Sequence, residues 1–497
     1  MNVLLVYPKY PDTYWGFKHA LKFISKKAAV PPLGLITVSA MLPNGWNKKL
    51  VDLNIENLND KDLDWADYVF ISSMYVQKES VDLVLDRCTR HKVKIVAGGP
   101  LFTQEYQNYP QVHHFILNEA EITLPPFLRD LETGRQPDRI YQTDSYADMH
   151  QSPVPDYQLL NLKAYALMNV QVSRGCPYAC DFCEITALLG RKVRMKSTRQ
   201  LLDELEVLYN LNWRGTVAVV DDNFIGRKSV IKNELLPGLI DWMKAHKYPF
   251  QFSAQSSIEL ADDELLLERI RQAGFVSAFI GIETPDELAL QQCHKVQNEN
   301  RDLIQNVKKI QNAGLQVSGG FIVGFDSDTP SIFQRQIDFI QNSGIVSAMV
   351  GLLNAPKNTN LYRQMEKEDR LTIEATGSNT DFTMNFKPKM NNLVLMEGYH
   401  RIIRNIYSEK PYYKRIRVFF RNYKPAKKVK VKLDITRIMA FFRSVIIIGI
   451  FNKGRGEYWK FLLWTLFRKP ELFTDAVVFT VYGYHYRTIY GLRKAGN

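Results

Sequence analysis

Cys176, Cys180 and Cys183 fall within eight residues of a 497-residue chain that has two other cysteines, Cys88 and Cys293. Their spacing is C-x3-C-x2-C, and an aromatic residue, Phe182, stands directly before the third. Thiolates gathered this closely repel one another unless a cation holds them, so the run reads as a metal or cluster site. A structural zinc site needs four ligands, and no fourth stands at a matching spacing. An iron–sulfur cluster on three cysteines keeps one iron open to an outside ligand, which points to chemistry rather than electron storage alone. Five cysteines in a chain this long are too sparse for a disulfide framework. Cys88 and Cys293, isolated, read as small buried hydrophobes.

The elements around this run must hold it still. Residues 1 to about 132 alternate between apolar strands (Val3–Tyr7, Lys49–Leu53, Tyr68–Ser72, Val93–Ala97, Phe115–Leu117) and helices, the first opening at Pro31-Pro32. Continuous apolar strands separated by helices predict a doubly wound, Rossmann-like parallel sheet. Ligands of such sheets sit at the carboxyl ends of the strands. Those ends carry Tyr7, Ser72, Met74, Gly98 and Gly99, and the small and polar residues there leave room for backbone to approach a large ligand, although ordinary turns use the same residues. From about Gln158 the alternation repeats six times, with strands at Val170–Val172, Thr216–Val220, Phe250–Ala254, Ala278–Ile282, Val317–Val323 and Val346–Leu352. Six such units predict an open, partial (β/α)6 barrel with its site at the carboxyl ends of the strands. The expected organisation is a doubly wound domain over 1–143, a polar linker over 144–157, the partial barrel over 158–382 and a mainly helical domain over 383–497.

Charge separates the last segment from the rest. Arg401–Asn497 holds 22 Lys+Arg and 5 Asp+Glu, net +17, whereas the first 400 residues hold 42 and 47, net −5. The two parts are therefore expected to face different partners. The N-terminus reads as a strand and not a signal peptide, and Ser444–Phe451 and Ala476–Tyr484 are too short to span a bilayer. A cytoplasmic protein is expected.

A cysteine loop of the form C-x3-C-x-Phe-C after the first strand of a six-unit barrel resembles the radical S-adenosylmethionine (SAM) enzymes. The doubly wound domain ahead of it resembles the cobalamin-binding domain of the class B radical SAM methylases. The nearest pattern is that of the hopanoid C-2 methylase group, and the anaerobic ring cyclase of bacteriochlorophyll synthesis shares the same pairing. The runs that carry the likeness are Pro31–Leu35, Asp181–Thr186, Asp221–Phe224, Gly281–Thr284, Gly320–Phe325 and, near the end, Gly483–His485.

The resemblance implies roles. Cys176, Cys180 and Cys183 would ligate a 4Fe–4S cluster whose open iron takes the amino and carboxylate groups of SAM. Phe182 would lie against the adenine. Asp221 or Asp222 would bind the SAM ammonium, Glu283 the ribose, and Gly320, Ile322 and Gly324 (G-x-I-x-G) would let backbone approach the adenine. Ser253 and Gln255 are further candidates. Each has a plainer alternative: Asp222 or Glu283 as a helix cap, the glycines as a barrel corner, Phe182 as core. Many cobalamin proteins supply a histidine from Asp-x-His-x-x-Gly, and no such run exists here. Without it the lower face of cobalamin would be open, or met by water or a side chain such as Tyr7, Met74 or Tyr75.

The implied reaction is cleavage of SAM to a 5′-deoxyadenosyl radical, hydrogen abstraction from an unactivated carbon of a small-molecule or lipid substrate, and methyl transfer through cobalamin. The alternatives are a radical cyclisation or rearrangement, or a cobalamin-binding sensor with a degenerate barrel. A one-electron donor of flavodoxin or ferredoxin type is implied. The basic, aromatic C-terminal segment, with its lysine-rich run Lys424–Lys432, either covers the open side of the barrel or lies on the inner face of a membrane. No recognised nucleic-acid module is present, so nucleic acid is not an expected partner.

Overall fold

The computed structural model describes residues 1–373, 376–378, 381–425 and 435–492. Most of the run Lys424–Lys432 therefore lies outside the described residues.

The N-terminal sheet has six parallel strands: β1 (Asn2–Tyr7), β2 (Asn47–Asp52), β3 (Tyr68–Ser72), β4 (Lys94–Gly98), β5 (His114–Ile116) and β6 (Ile140–Tyr141). Their order is β2-β1-β3-β4-β5-β6. Successive side chains of a strand point to opposite faces, so each strand feeds two cores. Leu4, Val6, Val69, Ile71 and Ile95 pack on one face with the helix Lys78–Arg90. Val3, Leu5, Phe70 and Val96 pack on the other with the helices Leu33–Met41 and Ala120–Glu132. The winding reverses between β1 and β3, and a crevice opens at such a switch point beyond the carboxyl ends. Tyr7 and Ser72 end the two strands that flank it.

The second half takes β7 (Met168–Val170), a short hairpin of β8 (Ser173–Arg174) and β9 (Arg194–Met195), then β10 (Thr216–Val219), β11 (Gln251–Ser256), β12 (Phe275–Glu283), β13 (Gln316–Val323) and β14 (Ala348–Leu352). The sheet is parallel in the order β14-β13-β12-β11-β10-β7, with β7 and β14 left unpaired to each other. This is an open, partial barrel, as the alternation predicts. The sixth strand of the first sheet and the β8–β9 hairpin are absent from the sequence reading, because two-residue strands carry no periodicity to read. The stretch expected as a linker is packed: Ala147, Met149 and Ser152 are buried, and Gln200 Nε2 donates to the carbonyls of Met149, His150 and Ser152.

The C-terminal helices Asn392–Tyr407, Glu409–Asn422, Arg455–Arg468 and Phe473–Ile489 lie against the open edge. An edge strand leaves backbone carbonyls without ladder partners. Tyr399 Oη donates to Val350 O at 3.0 Å and Tyr407 Oη to Ala348 O at 2.6 Å, so two tyrosines take carbonyls of β14. Arg415, fully buried, donates to Val346 O at 3.1 Å just before the strand. Tyr399, Tyr407 and Arg415 thus cover the barrel's open edge.

Candidate active site

The cysteine run is a loop closed at its base by the β8–β9 hairpin. Gly175, immediately before Cys176, has φ +90°, and a Cβ there would stand 2.8 Å from Lys192 O and 2.9 Å from Gly190 O. Only glycine fits that turn. Cys176 N donates to Gly190 O at 3.2 Å and Cys183 N to Cys180 O at 3.0 Å. Between them Asp181 ties the loop to distant chain: its N donates to Cys293 O at 3.1 Å, and its carboxylate meets His294 Nδ1 at 2.8 Å and Asn360 Nδ2 at 2.9 Å.

Burial raises all three thiols, Cys183 to about 12, so as bare thiols they are protonated at neutral pH. The ammonium of Lys295 opposes that rise at each of them. A bound cation converts such thiols to thiolates. All five cysteines are free, and among the described residues no three His, Cys, Asp or Glu side chains converge tightly enough to hold one metal ion. Three thiols on one loop are the kind of donor set from which an iron–sulfur cluster is held. The residues present fit that group.

The two aspartates after β10 part company. Asp221 is fully buried and accepts from Val172 N at 2.7 Å and Ser173 Oγ at 2.6 Å, so it holds the strand that launches the cysteine loop. Burial pushes its carboxyl up to about 6 against the pull of these donors. Asp222 turns toward the cavity, and burial, then the neighbouring Asp221, push it up to about 7. It caps no helix, since the next one begins at Lys228.

Glu283, at the end of β12, has φ +61° beside a register shift against β13, and its side chain folds back over Gly281. It meets Lys295 Nζ at 2.6 Å; Glu283 is buried and Lys295 largely so. The cap of the next helix is Asp286, which accepts from Ala289 N at 3.0 Å, so Glu283 is no cap either. In the G-x-I-x-G run, Gly320 lies against Phe279, Ile322 packs beside Phe182 with Phe325 and Cys293, and Gly324 has φ +105°. Asp328 accepts from the N–H groups of Gly324 and Phe325 at 2.8 and 3.0 Å and fixes this turn. Ser253 and Gln255 stand on β11; Gln255 is exposed, and its carbonyl accepts from Phe224 N at 2.9 Å. None of Ser253, Gln255, Glu283, Gly320, Ile322 and Gly324 lines the main cavity.

That cavity, about 1300 Å³, lies between the carboxyl ends of the two sheets. Tyr7, Ser72, Met74, Gly98 and Gly99 form its wall on one side, and Phe182, Cys183 and Asp222 on the other. The two glycines differ from expectation in one respect. A Cβ on Gly98 would stand 2.6 Å from Ile116 O, and one on Gly99 (φ +89°) 2.8 Å from Ser72 Oγ, so their missing side chains make room for neighbouring protein. Tyr7 Oη and Tyr10 Oη share a 2.5 Å hydrogen bond, and Tyr10 Oη reaches Met74 Sδ at 3.4 Å. Ser73 and Asn169, on opposite sides of the cavity, each keep a buried polar atom, Oγ and Oδ1, without a protein partner. A large ligand with hydrogen-bonding groups on its rim, as a corrinoid has, fits such a wall.

Sequence reasoning missed what joins the halves. Arg174, in the cysteine loop, donates to Glu119 at 2.9 Å and bidentately to Glu121 at 2.9 and 2.8 Å. Arg194 adds an ion pair to Glu119 at 2.7 Å. Burial pushes the Glu121 carboxyl up, yet Arg174 outweighs it and holds the carboxyl below its ordinary value. Glu119 and Glu121 follow β5, so this network ties the N-terminal sheet to the base of the cysteine loop. The available signal was charge: two glutamates at a strand end and an arginine two residues before Cys176.

Residues 170–340 match the family described as the radical SAM superfamily, and residues 359–495 match a domain of unknown function (DUF4070). An uncharacterized methyltransferase of Synechocystis sp. is 37% identical over 492 residues, covering 98% of this chain and 91% of that protein. The hopanoid C-2 methylase of Rhodopseudomonas palustris is 32% identical over 479 residues, covering 94% and 90%. In fold the chain is similar to the cobalamin-dependent SAM radical enzyme OxsB, solved with aqua-cobalamin and SAM (TM-score 0.62, 15% identity, 99% of this chain and 80% of that one). It is similar also to the radical SAM methyltransferase TsrM of Kitasatospora setae, solved with cobalamin and a [4Fe-4S] cluster (TM-score 0.60, 14% identity, 93% and 98%). This chain belongs to the class B radical SAM methyltransferase family that includes the hopanoid C-2 methylase.

Proposed function

We propose that the protein is a cobalamin-dependent radical SAM methylase that places a methyl group on an unactivated carbon of an apolar, lipid-like substrate. The observation that carries this reading is a cavity bordered both by the switch point of the N-terminal sheet and by Cys183 and Asp222. Cobalamin would rest on Tyr7, Ser72, Met74, Gly98 and Gly99, and the three cysteines would hold the cluster. When bound, these groups supply reductive cleavage of SAM and a transferable methyl, chemistry that no side chain offers.

The chain's own residues do the positioning. Asp222, in the cavity wall, would take the SAM ammonium, and Phe182 would offer a flat apolar face to the adenine. Lys295 holds Glu283, the residue that would serve the ribose, and Asp328 sets the turn at Gly324. The Arg174–Glu119–Glu121 network fixes the distance between the two cofactor sites, and the hydrophobic parts of the wall exclude water. Val30, Leu33, Val38, Ile185, Leu188 and Ile373 make much of that wall apolar, which suits a hydrocarbon better than a nucleotide or peptide. The relation to the hopanoid C-2 methylase makes a polycyclic hopanoid the first substrate to offer. A one-electron donor of flavodoxin or ferredoxin type would feed the cluster.

The test is anaerobic reconstitution with iron, sulfide and cobalamin, followed by reduction with SAM and a hopanoid. The expected result is 5′-deoxyadenosine and S-adenosylhomocysteine formed together with a methylated lipid. Deoxyadenosine from a rearranged but unmethylated substrate would replace the methylase reading with a cyclase-type reaction.

A further inference from the structure

The helix Arg455–Arg468 has two apolar faces. Tyr458, Phe461, Leu462 and Thr465 point inward, where Phe461 stacks on Tyr413 with ring centroids 5.0 Å apart. Trp459, Leu463, Leu466 and Phe467 recur at i, i+4, i+7 and i+8 on the other face and are exposed, Phe467 by 78%. The preceding helix, Ile435–Ser444 with its continuation Val445–Ile450, repeats the arrangement: Ile438, Phe442 (59% exposed), Ile446 and Ile450 form an outward stripe four residues apart, ending at Phe451 (79%).

The two helices are locked together. Trp459 Nε1 donates to Gly449 O at 3.0 Å, and Ser444 Oγ and Tyr458 Oη share a 3.0 Å hydrogen bond. A Cβ on Gly449 would stand 2.8 Å from the Tyr458 ring, so the contact is close. The stripes adjoin at this contact, beside Ile450 and Phe451. Two coordinated rows of exposed aromatic and branched side chains exceed the scattered apolar residues of an ordinary surface.

We propose that this face lies on an anionic lipid bilayer. Residues 435–472 carry seven basic side chains against two acidic ones, Glu457 and Glu471. Arg455, Lys460 and Arg468 belong to the same helix as the outward stripe, the pairing of apolar row and basic flank that interfacial helices use. A second copy of this chain is the poorer occupant, because a two-fold contact would set the same basic flanks against each other. No helix among the described residues is long and apolar enough to cross a membrane, so the pair lies on the surface. The inference rests on the stripes and their charge and does not depend on the substrate read above.

The test is flotation of the full-length protein with phosphatidylcholine vesicles, with and without phosphatidylglycerol. The wild type is expected to float with the anionic vesicles and about tenfold less with the neutral ones. Phe442→Ser/Phe451→Ser/Phe467→Ser is expected to lose flotation while keeping its circular dichroism and melting temperature, because these rings are exposed. Arg455→Gln/Lys460→Gln/Arg468→Gln is expected to weaken binding to anionic vesicles and to flatten its salt dependence. Wild type that stays with the pellet, or an aromatic variant that floats as well as wild type, overturns the proposal. So does a wild-type dimer in light scattering that the aromatic variant dissolves, since the face would then belong to a second copy. Methylation of a soluble substrate in the absence of vesicles would leave the docking result standing, so the two readings fail separately.

Discussion

The two parallel sheets present unlike ends to one cavity. The N-terminal sheet offers hydroxyls, a thioether and glycine backbone at Tyr7, Ser72, Met74, Gly98 and Gly99. The barrel offers a thiol, a carboxylate and an aromatic ring at Cys183, Asp222 and Phe182, with Lys295 and Glu283 behind them. The first end recognises by shape and neutral hydrogen bonds, and the second by charge and coordination. Architecturally they are near equals, six strands each, so the division of labour lies in which side chains the strand ends carry. A neutral end suits a cofactor that brings its own metal and ligands. A charged end suits one that the protein must itself ligate.

The largest effect comes from removing the coordinating end alone. Replacing Cys176, Cys180 and Cys183 together with alanine should abolish SAM cleavage, read as 5′-deoxyadenosine by chromatography. The corrinoid absorbance of the reconstituted protein should persist, because Tyr7, Ser72 and Gly99 are untouched. Loss of both signals would show that the two ends are one cooperative site and would break the comparison.

A smaller effect separates two neighbours at the barrel end. Asp221→Ala would strip the acceptor from Val172 N and Ser173 Oγ in a fully buried site. Leaving a buried donor unpaired beside a new cavity costs about 2–4 kcal/mol, visible as a lowered denaturation midpoint. Asp221→Asn keeps an acceptor for Val172 and should fold nearly as well as wild type. Asp222→Ala should leave the midpoint almost unchanged and instead raise the KM for SAM by about tenfold, the worth of one charge-assisted hydrogen bond of roughly 1.5 kcal/mol. Equal stability losses at both positions would erase the distinction.

That distinction also marks where the sequence stops being informative. The alternation of apolar strands and helices was legible, because parallel sheets buried on both faces leave near-continuous apolar runs. The cysteine loop was legible, because its ligands are local. Asp221 and Asp222 are adjacent and chemically identical, and what divides them is a pair of donors almost fifty residues earlier, Val172 and Ser173, just past the strand that pairs with β10. Arg174 with Glu119 and Glu121, and Lys295 with Glu283, were missed for the same reason: a salt bridge depends on where chains return in space. The glycines misled in a further way. Gly98 and Gly99 were read as room for a ligand, yet the Ile116 carbonyl and the Ser72 side chain already fill that room.

The smallest effect tests what keeps the two ends facing each other. The C-terminal helix reaches past the barrel to the N-terminal segment, where His485 Nε2 donates to Tyr14 O at 3.0 Å and Tyr486 stacks on Tyr14 with centroids 4.4 Å apart. Burial lowers His485 to about 4, against an ordinary value near 6.5, so it is neutral in the folded protein. A depressed folded pKa means that the unfolded chain binds the proton first. The stabilising contribution is therefore complete above about pH 6.5 and is lost as pH falls from there toward 4. Of order 1–2 kcal/mol should be gone by pH 5. His485→Gln, which can still donate to Tyr14 but does not titrate, should lose less stability than wild type between pH 7 and pH 5 in paired denaturation curves. If the two curves move together, groups other than His485 set the acid sensitivity of this contact.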